Sequence, residues 1–321
     1  MTGTDRRHFL IGAAAATSTA ILPRTSADAA ESAAAAAAEG RPEIAFTFDD
    51  PKTAPGGNRG WQEVNERILA ALAKHKVKSV LFVCGMRIDG DAGHDLLGAW
   101  DRGGHLIANH SYSHFNLDKV TLAEFQADTL KNEPLIHSYP HFTRLFRYPM
   151  FKEGNTVGKR DGMRSFLQER GYRIGRATVD ASDWAISARL EDRLKDNARA
   201  EVSGYRKFFL QHIWERTQYY HSLARQVVGH PVRHTVLLHH NVLNALFLDD
   251  LVSLLVDKGW RPVDAEYAYA DPIYDRQPQC LPAGESLIWG LAKETGRFES
   301  QLRYPGEDDV YENPKMDALG L

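Results

Sequence analysis

From residue 43 onward, short β-rich runs alternate with longer amphipathic stretches, and this rhythm limits the fold more than any other feature of the chain. The runs are IAFTF (44–48), SVLFV (79–83), HLIAN (105–109), RLFRY (144–148), a segment within YRIGRATVD (172–180), TVLLH (235–239) and WRPVD (260–264). Between them lie WQEVNERILAALAKHK, HDLLGAWDRG, LAEFQADTLKNEPLIH, RDGMRSFLQERG and LFLDDLVSLLVDKG. Several of these end at a Gly, as a helix stop should. Strands that alternate with helices build a parallel sheet with helical cover. Seven β–α units in one domain favour a barrel, closed or incomplete, over an open doubly wound sheet.

Residues 188–228 break the rhythm. This charged and aromatic segment, which includes YRKFFLQHIWERTQYYHSLARQ, reads as an added helical excursion near one end of the barrel. The tail beyond Asp264 is polar with scattered prolines and reads as irregular wrapping.

The N-terminus has a different character. Arg6 and Arg7 precede a mildly apolar stretch rich in Ala and Gly, and SADAA then supplies small residues at a signal-peptidase spacing. The pattern is that of a twin-arginine export signal, which implies the twin-arginine machinery as a partner and a periplasmic or secreted location. The apolar run is too short and too weakly hydrophobic for a good span, and no cysteine follows it, so no stable membrane anchor is expected. The expected division is a signal peptide at 1–29, an Ala-rich linker at 30–40, the barrel at 41–270 and a C-terminal extension packed on it at 271–321. A formal net charge of −3, without a basic face, gives no case for nucleic acid. The two cysteines, Cys84 and Cys280, exclude a cysteine-based zinc site, and Cys84 within SVLFVCG reads as core.

In parallel α/β folds, functional groups gather where strands run into loops at the carboxyl edge. Here those ends carry Asp49-Asp50, His110, Arg147-Tyr148-Pro149, DASDW with Asp180, Asp183 and Trp184, and His239-His240-Asn241. Three HxxxH pairs compete as metal ligands: HSYSH (110–114), HSYPH (137–141) and HPVRH (230–234). Pro140 and Pro231 deny the last two a regular helical geometry, and both pairs precede strands, at the end away from the acids. They read as surface or loop histidines. His110 and His114 read as the metal pair, and the Asp49-Asp50 step offers a third ligand with a neighbouring carboxylate left to take a proton.

Taken in order, TFDD (47–50), HSYSH (110–114), R-x-P (147–149), DASDW (180–184) and LLH (237–239) resemble the five motifs of the NodB-type polysaccharide deacetylases, carbohydrate esterase family 4. The resemblance implies a distorted (β/α)7 barrel that removes acetyl groups from an N-acetylated or O-acetylated glycan. It implies that Asp50, His110 and His114 bind a divalent metal, most plausibly Zn2+, with Co2+, Ni2+ or Mn2+ as alternatives. Asp49 would be the general base, held by Arg147. The Met150 N–H would donate to the oxyanion, and Asp183 would support His239 as general acid. Trp184, Phe151 and Tyr148 would face the substrate. Departures mark a divergent branch. Pro51-Lys52 follows TFDD where Gly-Pro is usual, RYPMFKEGNT replaces RPPYG, and His240 stands where an Asp is usual. A hydrolase of another small amide or ester, or a non-catalytic glycan-binding protein on the same barrel, are the competing readings.

Overall fold

The computed structural model describes residues 40–54, 59–88 and 90–321. The expected signal peptide and linker lie outside the described residues, apart from Gly40. Arg41–Leu321 form one compact unit.

The first strand, β1 (Glu43–Asp49), is buried along its whole length beyond Glu43. A parallel strand covered on both faces must be apolar throughout rather than alternating, and IAFTF meets that demand. β1 pairs in parallel with β2 (Val80–Val83) through Thr47–Asp49, and β2 pairs with β3 (Leu106–Asn109). β3 in turn pairs with β4 (Phe142–Phe146). On its other edge β1 runs beside β7 (Arg233–His239) over seven residues. The short strands β6 (Arg173–Ile174) and β8 (Arg261–Pro262) pair with β4 and with the first two residues of β1.

Closure comes from a single piece of chain. β6 starts beside β4, and its continuation reaches β7, where Val179 pairs with Val236. The Val179 carbonyl then accepts the Leu237 N–H at 3.0 Å. The sheet therefore curls round on itself as a distorted (β/α)7 barrel, which agrees with the seven expected runs.

Helices cover the outside: α1 (Trp61–Lys74), α2 (Asp91–Arg102), α3 (Leu122–Ile136), α4 (Val157–Glu169), α5 (Asp183–Asp196), α6 (Ser203–Val228) and α7 (Val242–Asp257). The 188–228 stretch is helical, as expected. It holds the end of α5 and all of the 26-residue α6, and Tyr205, Phe209, Ile213, Tyr220 and Leu223 are buried in the main core. Their spacing of three, four and seven residues puts them on one face of α6, which makes it a structural wall.

Beyond α8 (Ala265–Tyr269) the chain returns to the carboxyl edge. There β9 (Ala283–Gly284) pairs antiparallel with β5 (Lys152–Gly154), just after the loop that holds Met150. Helix α9 (Leu287–Thr295) packs on α6, and α10 (Asp309–Ala318) packs on α5. No helix among the described residues is long and apolar enough to cross a membrane. Cys84 and Cys280 are both free.

Candidate active site

At the end of β1 the backbone of Asp50 turns into the left-handed region, with φ of 60°. A regular strand would send the two neighbouring carboxylates to opposite faces. The turn brings both into one cleft of about 470 Å³ at the carboxyl edge. Non-glycine residues in this region are held there at a cost and cluster at functional sites.

His110 and His114 reach the same cleft, but not from a helix. Ser111 and His114 both have positive φ, at 62° and 57°, so HSYSH is a turn. The helical spacing expected of the pair is thus not what aligns it. The loop is instead shaped from outside. Asp128 of α3 accepts the N–H groups of Tyr112 and Ser113, and Asn109 accepts that of Ser111. The two imidazoles come to a centroid separation of 5.1 Å. His114 Nε2 lies 3.3 Å from Asp50 Oδ2, and His110 Nε2 lies 3.9 Å from Asp50 Oδ1. His110 Nδ1 is 2.8 Å from the Arg147 carbonyl, so it carries the proton and leaves Nε2 free to ligate.

Charge follows this geometry. Burial pushes His110 and His114 down to about 4, and Asp50 offsets only part of that, so both imidazoles are neutral. Burial alone would raise Asp50, but His110, His114 and Arg87 together hold it below its usual value. Asp50 Oδ1 is buried without a hydrogen-bond partner. An orphaned carboxylate oxygen beside two neutral imidazoles is a donor set that suits a divalent ion of the zinc type. The ligand atoms of Asp50, His110 and His114 all lie within 4.8 Å of one another.

Asp49 is held differently. Arg147 Nη1 donates to its Oδ1 at 2.6 Å, while Nε donates to the Gly175 carbonyl and Nη2 to the Tyr269 hydroxyl. The guanidinium lies over the Phe82 ring at 3.9 Å. With all three nitrogens engaged and one face covered, the planar fork has a single orientation. Burial, the strongest influence, pushes Asp49 up to about 6 against the pull of Arg147 and His239.

His239, at the end of β7, sits with Nδ1 2.7 Å from Asp183 Oδ1. Asp183 also accepts the His239 N–H and the side-chain amides of Asn241 and Asn244, which lock the carboxylate. Burial would lower this imidazole, but Asp183, with help from Asp49 and Asp50, raises it to about 9.

Met150 and Phe151 are consecutive left-handed residues, with φ of 55° and 53°, and both line the cleft. Trp184 also lines it and is 42% exposed. Tyr148 does not face substrate as expected. It is buried, stacked on Phe125 and edge-on to Phe146, because the residue before the Pro149 turn still belongs to the barrel wall.

The other histidine pairs take no part. His141 pairs with Asp101, and His137 caps α3. His230 is exposed, but His234 corrects the surface reading. It is fully buried on β7, between the Thr178 hydroxyl and His221.

Several cleft residues escaped the sequence reading. Arg87, three residues beyond Cys84, pairs with Asp50 Oδ2 at 2.6 Å. It follows a strand end, so the carboxyl-edge rule applied to β2 would have found it. Glu285, Pro305, Glu307 and Asp308 come from the C-terminal segment, where no motif marks them.

Fold and cluster define the class: a distorted (β/α)7 barrel with a candidate metal centre of one carboxylate and two imidazoles at its carboxyl edge. The family profile described as polysaccharide deacetylase matches residues 36–175. A peptidoglycan-N-acetylglucosamine deacetylase of Bacillus cereus is 28% identical over 142 residues, which is 44% of this chain and 46% of the relative. The chain thus matches less than half the length of that curated relative. Among solved structures, a mutant of a carbohydrate esterase family 4 pseudoenzyme superposes with a TM-score of 0.51 at 19% identity, covering 72% of this chain and 68% of the other. The wild-type pseudoenzyme, from Bacillus anthracis, gives 0.50 at 19% identity, covering 72% and 66%. Over residues 36–175 the chain is similar to the polysaccharide deacetylases, and its barrel shares the fold of the carbohydrate esterase family 4 structures.

Proposed function

We propose that the protein is a metal-dependent hydrolase that removes acetyl groups from an N-acetylated or O-acetylated polysaccharide. One observation carries this reading. A cleft that holds the Asp50–His110–His114 cluster also holds a carboxylate pushed up to about 6 and an imidazole raised to about 9. Two titratable groups driven apart in this way are the mark of an acid–base pair.

Asp50, His110 and His114 would hold the ion, most plausibly zinc. When bound, it would lower the pKa of water and polarise the acetyl carbonyl. Asp49, kept ionised and aimed by Arg147, accepts the proton of the attacking water. The Met150 N–H donates to the oxyanion that develops on the carbonyl oxygen. His239 is protonated at neutral pH and gives its proton to the leaving nitrogen, which leaves poorly unless protonated. Asp183 fixes its tautomer and stabilises the imidazolium. Trp184 and Phe151 line the cleft beside these groups.

The non-catalytic alternative draws on the pseudoenzyme neighbour, but every group named above is present in this chain. The Arg6-Arg7 pair and the small residues of SADAA support export through the twin-arginine route to the periplasm. The test is acetate release from chitooligosaccharides, peptidoglycan and acetylated xylan by the metal-loaded protein. Release from at least one is expected. Release from none, with Asp49→Asn changing nothing measurable, would defeat the proposal.

A further inference from the structure

The left-handed pair Met150–Phe151 is held from the far end of the chain. Directly after that pair, β5 meets β9, with Lys152 opposite Gly284 and Gly154 opposite Ala283. The residue that follows β9, Glu285, donates its N–H to the Phe151 carbonyl at 3.2 Å. Its carboxylate is buried. Oε1 accepts from Lys152 Nζ at 2.5 Å, and Oε2 accepts from the Gly306 N–H at 2.8 Å. The main chain and the side chain of one residue thus grip both residues that follow Met150.

The fit leaves no slack. A Cβ on Gly284 would stand 1.8 Å from the Phe151 carbonyl oxygen, so only glycine lets the two segments meet. Glu285 is itself left-handed, with φ of 61°. Residues strained in this way persist only where their surroundings over-determine them, and they cluster at functional sites. The segment is anchored in turn. The Leu287 N–H donates to the Ala177 carbonyl at 2.8 Å, and Ala177 packs with Phe151 and Leu237 in one apolar cluster. The stretch similar to the polysaccharide deacetylases ends at residue 175, so this clamp lies outside it.

We infer that Glu285 is a positioning residue of the oxyanion loop, fixing through Phe151 and Lys152 the direction of the Met150 N–H. The inference rests on the deacetylase reading, in which that N–H donates to the oxyanion. A donor that acts only on the transition state costs turnover when it is misaimed, and substrate binding is spared. A salt bridge that served stability alone would leave turnover per bound zinc unchanged.

The experiment compares the zinc-loaded wild type with Glu285→Ala, Glu285→Gln and Lys152→Gln on chitooligosaccharides, peptidoglycan and acetylated xylan. Glu285→Ala should lower kcat per bound zinc about tenfold, with KM held within about twofold. Glu285→Gln still accepts both hydrogen bonds and should recover most of that loss. Lys152→Gln keeps the main-chain half of the clamp and should lower kcat about threefold, which carries the test if Glu285→Ala fails to load zinc. Hydrogen exchange across residues 148–155, read by mass spectrometry, should quicken in Glu285→Ala and Lys152→Gln while β1 stays protected. Unchanged kcat per bound zinc, a loss confined to KM, or unchanged exchange in the loop overturns the positioning role. Should the wild type release no acetate from any of the three, the deacetylase reading fails and exchange alone decides. Quickened exchange then leaves the clamp standing, and unaltered exchange removes it.

Discussion

Among the described residues, two clusters each combine histidine and carboxylate at ligand distances: Asp50–His110–His114, and His212–Glu307–Glu312. The first is the better candidate for a metal. In the second, His212 Nε2 already accepts the Ser182 N–H at 3.1 Å, and Nδ1 faces Glu312 at 3.5 Å. Arg216 sits on Glu307, while Lys315 and Arg303 stand 3.3 and 3.8 Å from Glu312. The carboxylates there have their positive charge in place, and the imidazole has spent both nitrogens. In the first cluster Arg87 holds one oxygen of Asp50, the other is unpartnered, and each imidazole aims Nε2 at the acid. Composition, distance and one unpartnered carboxylate oxygen are common to both clusters. The cations differ: Arg216, Arg303 and Lys315 stand on the second cluster's acids, and Arg87 alone on Asp50.

The largest effect should come from breaking the first cluster. His110→Ala with His114→Ala should abolish binding of the one equivalent of zinc expected per chain, read by elemental analysis after dialysis, and acetate release should vanish with it. His212→Gln should leave the zinc content unchanged. Zinc lost from the His212 variant and kept in the double variant would reverse the assignment.

Next in size is Asp49→Asn, which removes the base and spares the ligands. Acetate release should fall about 1,000-fold with zinc content intact, since positioned proton transfer contributes on this scale. A fall in zinc content would make Asp49 a ligand instead. The second cluster gives a stability effect. Glu312 is fully buried, and Glu312→Gln would take the counter-charge from Lys315 and one of two from Arg303, which Glu307 also holds. A cost of about 3 kcal/mol in urea unfolding is expected. A cost near zero would show that water already screens this network.

The seven strands and the five motif positions were legible in the sequence because both are local patterns. A β-branched run or an R-x-P step carries its own structural meaning. What was not legible depends on pairings between distant segments. HSYSH is a turn because Asp128 of α3 captures its N–H groups, so the two histidines meet through loop geometry and not through the i, i+4 spacing of a helix. His234 follows a proline in an apparent loop, yet the β1–β7 register carries it into the core against His221. Arg87 gains its role only because β2 lies beside β1. Glu285 and Glu307 reach the cleft because the β5–β9 pairing brings the C-terminal segment back to the Met150 loop.

The smallest expected effect separates two histidines within one cleft. His110 is buried and held down to about 4, whereas His239 is partly exposed and raised to about 9. The difference lies in the partner. His110 Nδ1 meets a neutral carbonyl, whereas His239 Nδ1 meets the Asp183 carboxylate. A folded-state pKa raised above 6.5 stabilises the fold fully below 6.5, and that contribution is lost as pH rises through about 9. The general-acid form follows the same course, so kcat/KM should fall on the alkaline side. A bound ion offsets the help His239 receives from Asp49 and Asp50, which makes the change on replacing Asp183 the diagnostic quantity. Asp183→Asn should draw the alkaline limb from near 9 toward 6.5, while Arg87→Gln, beside the ligand acid, should leave its midpoint in place. A limb that stays put in Asp183→Asn would mean that a group other than His239 delivers the proton.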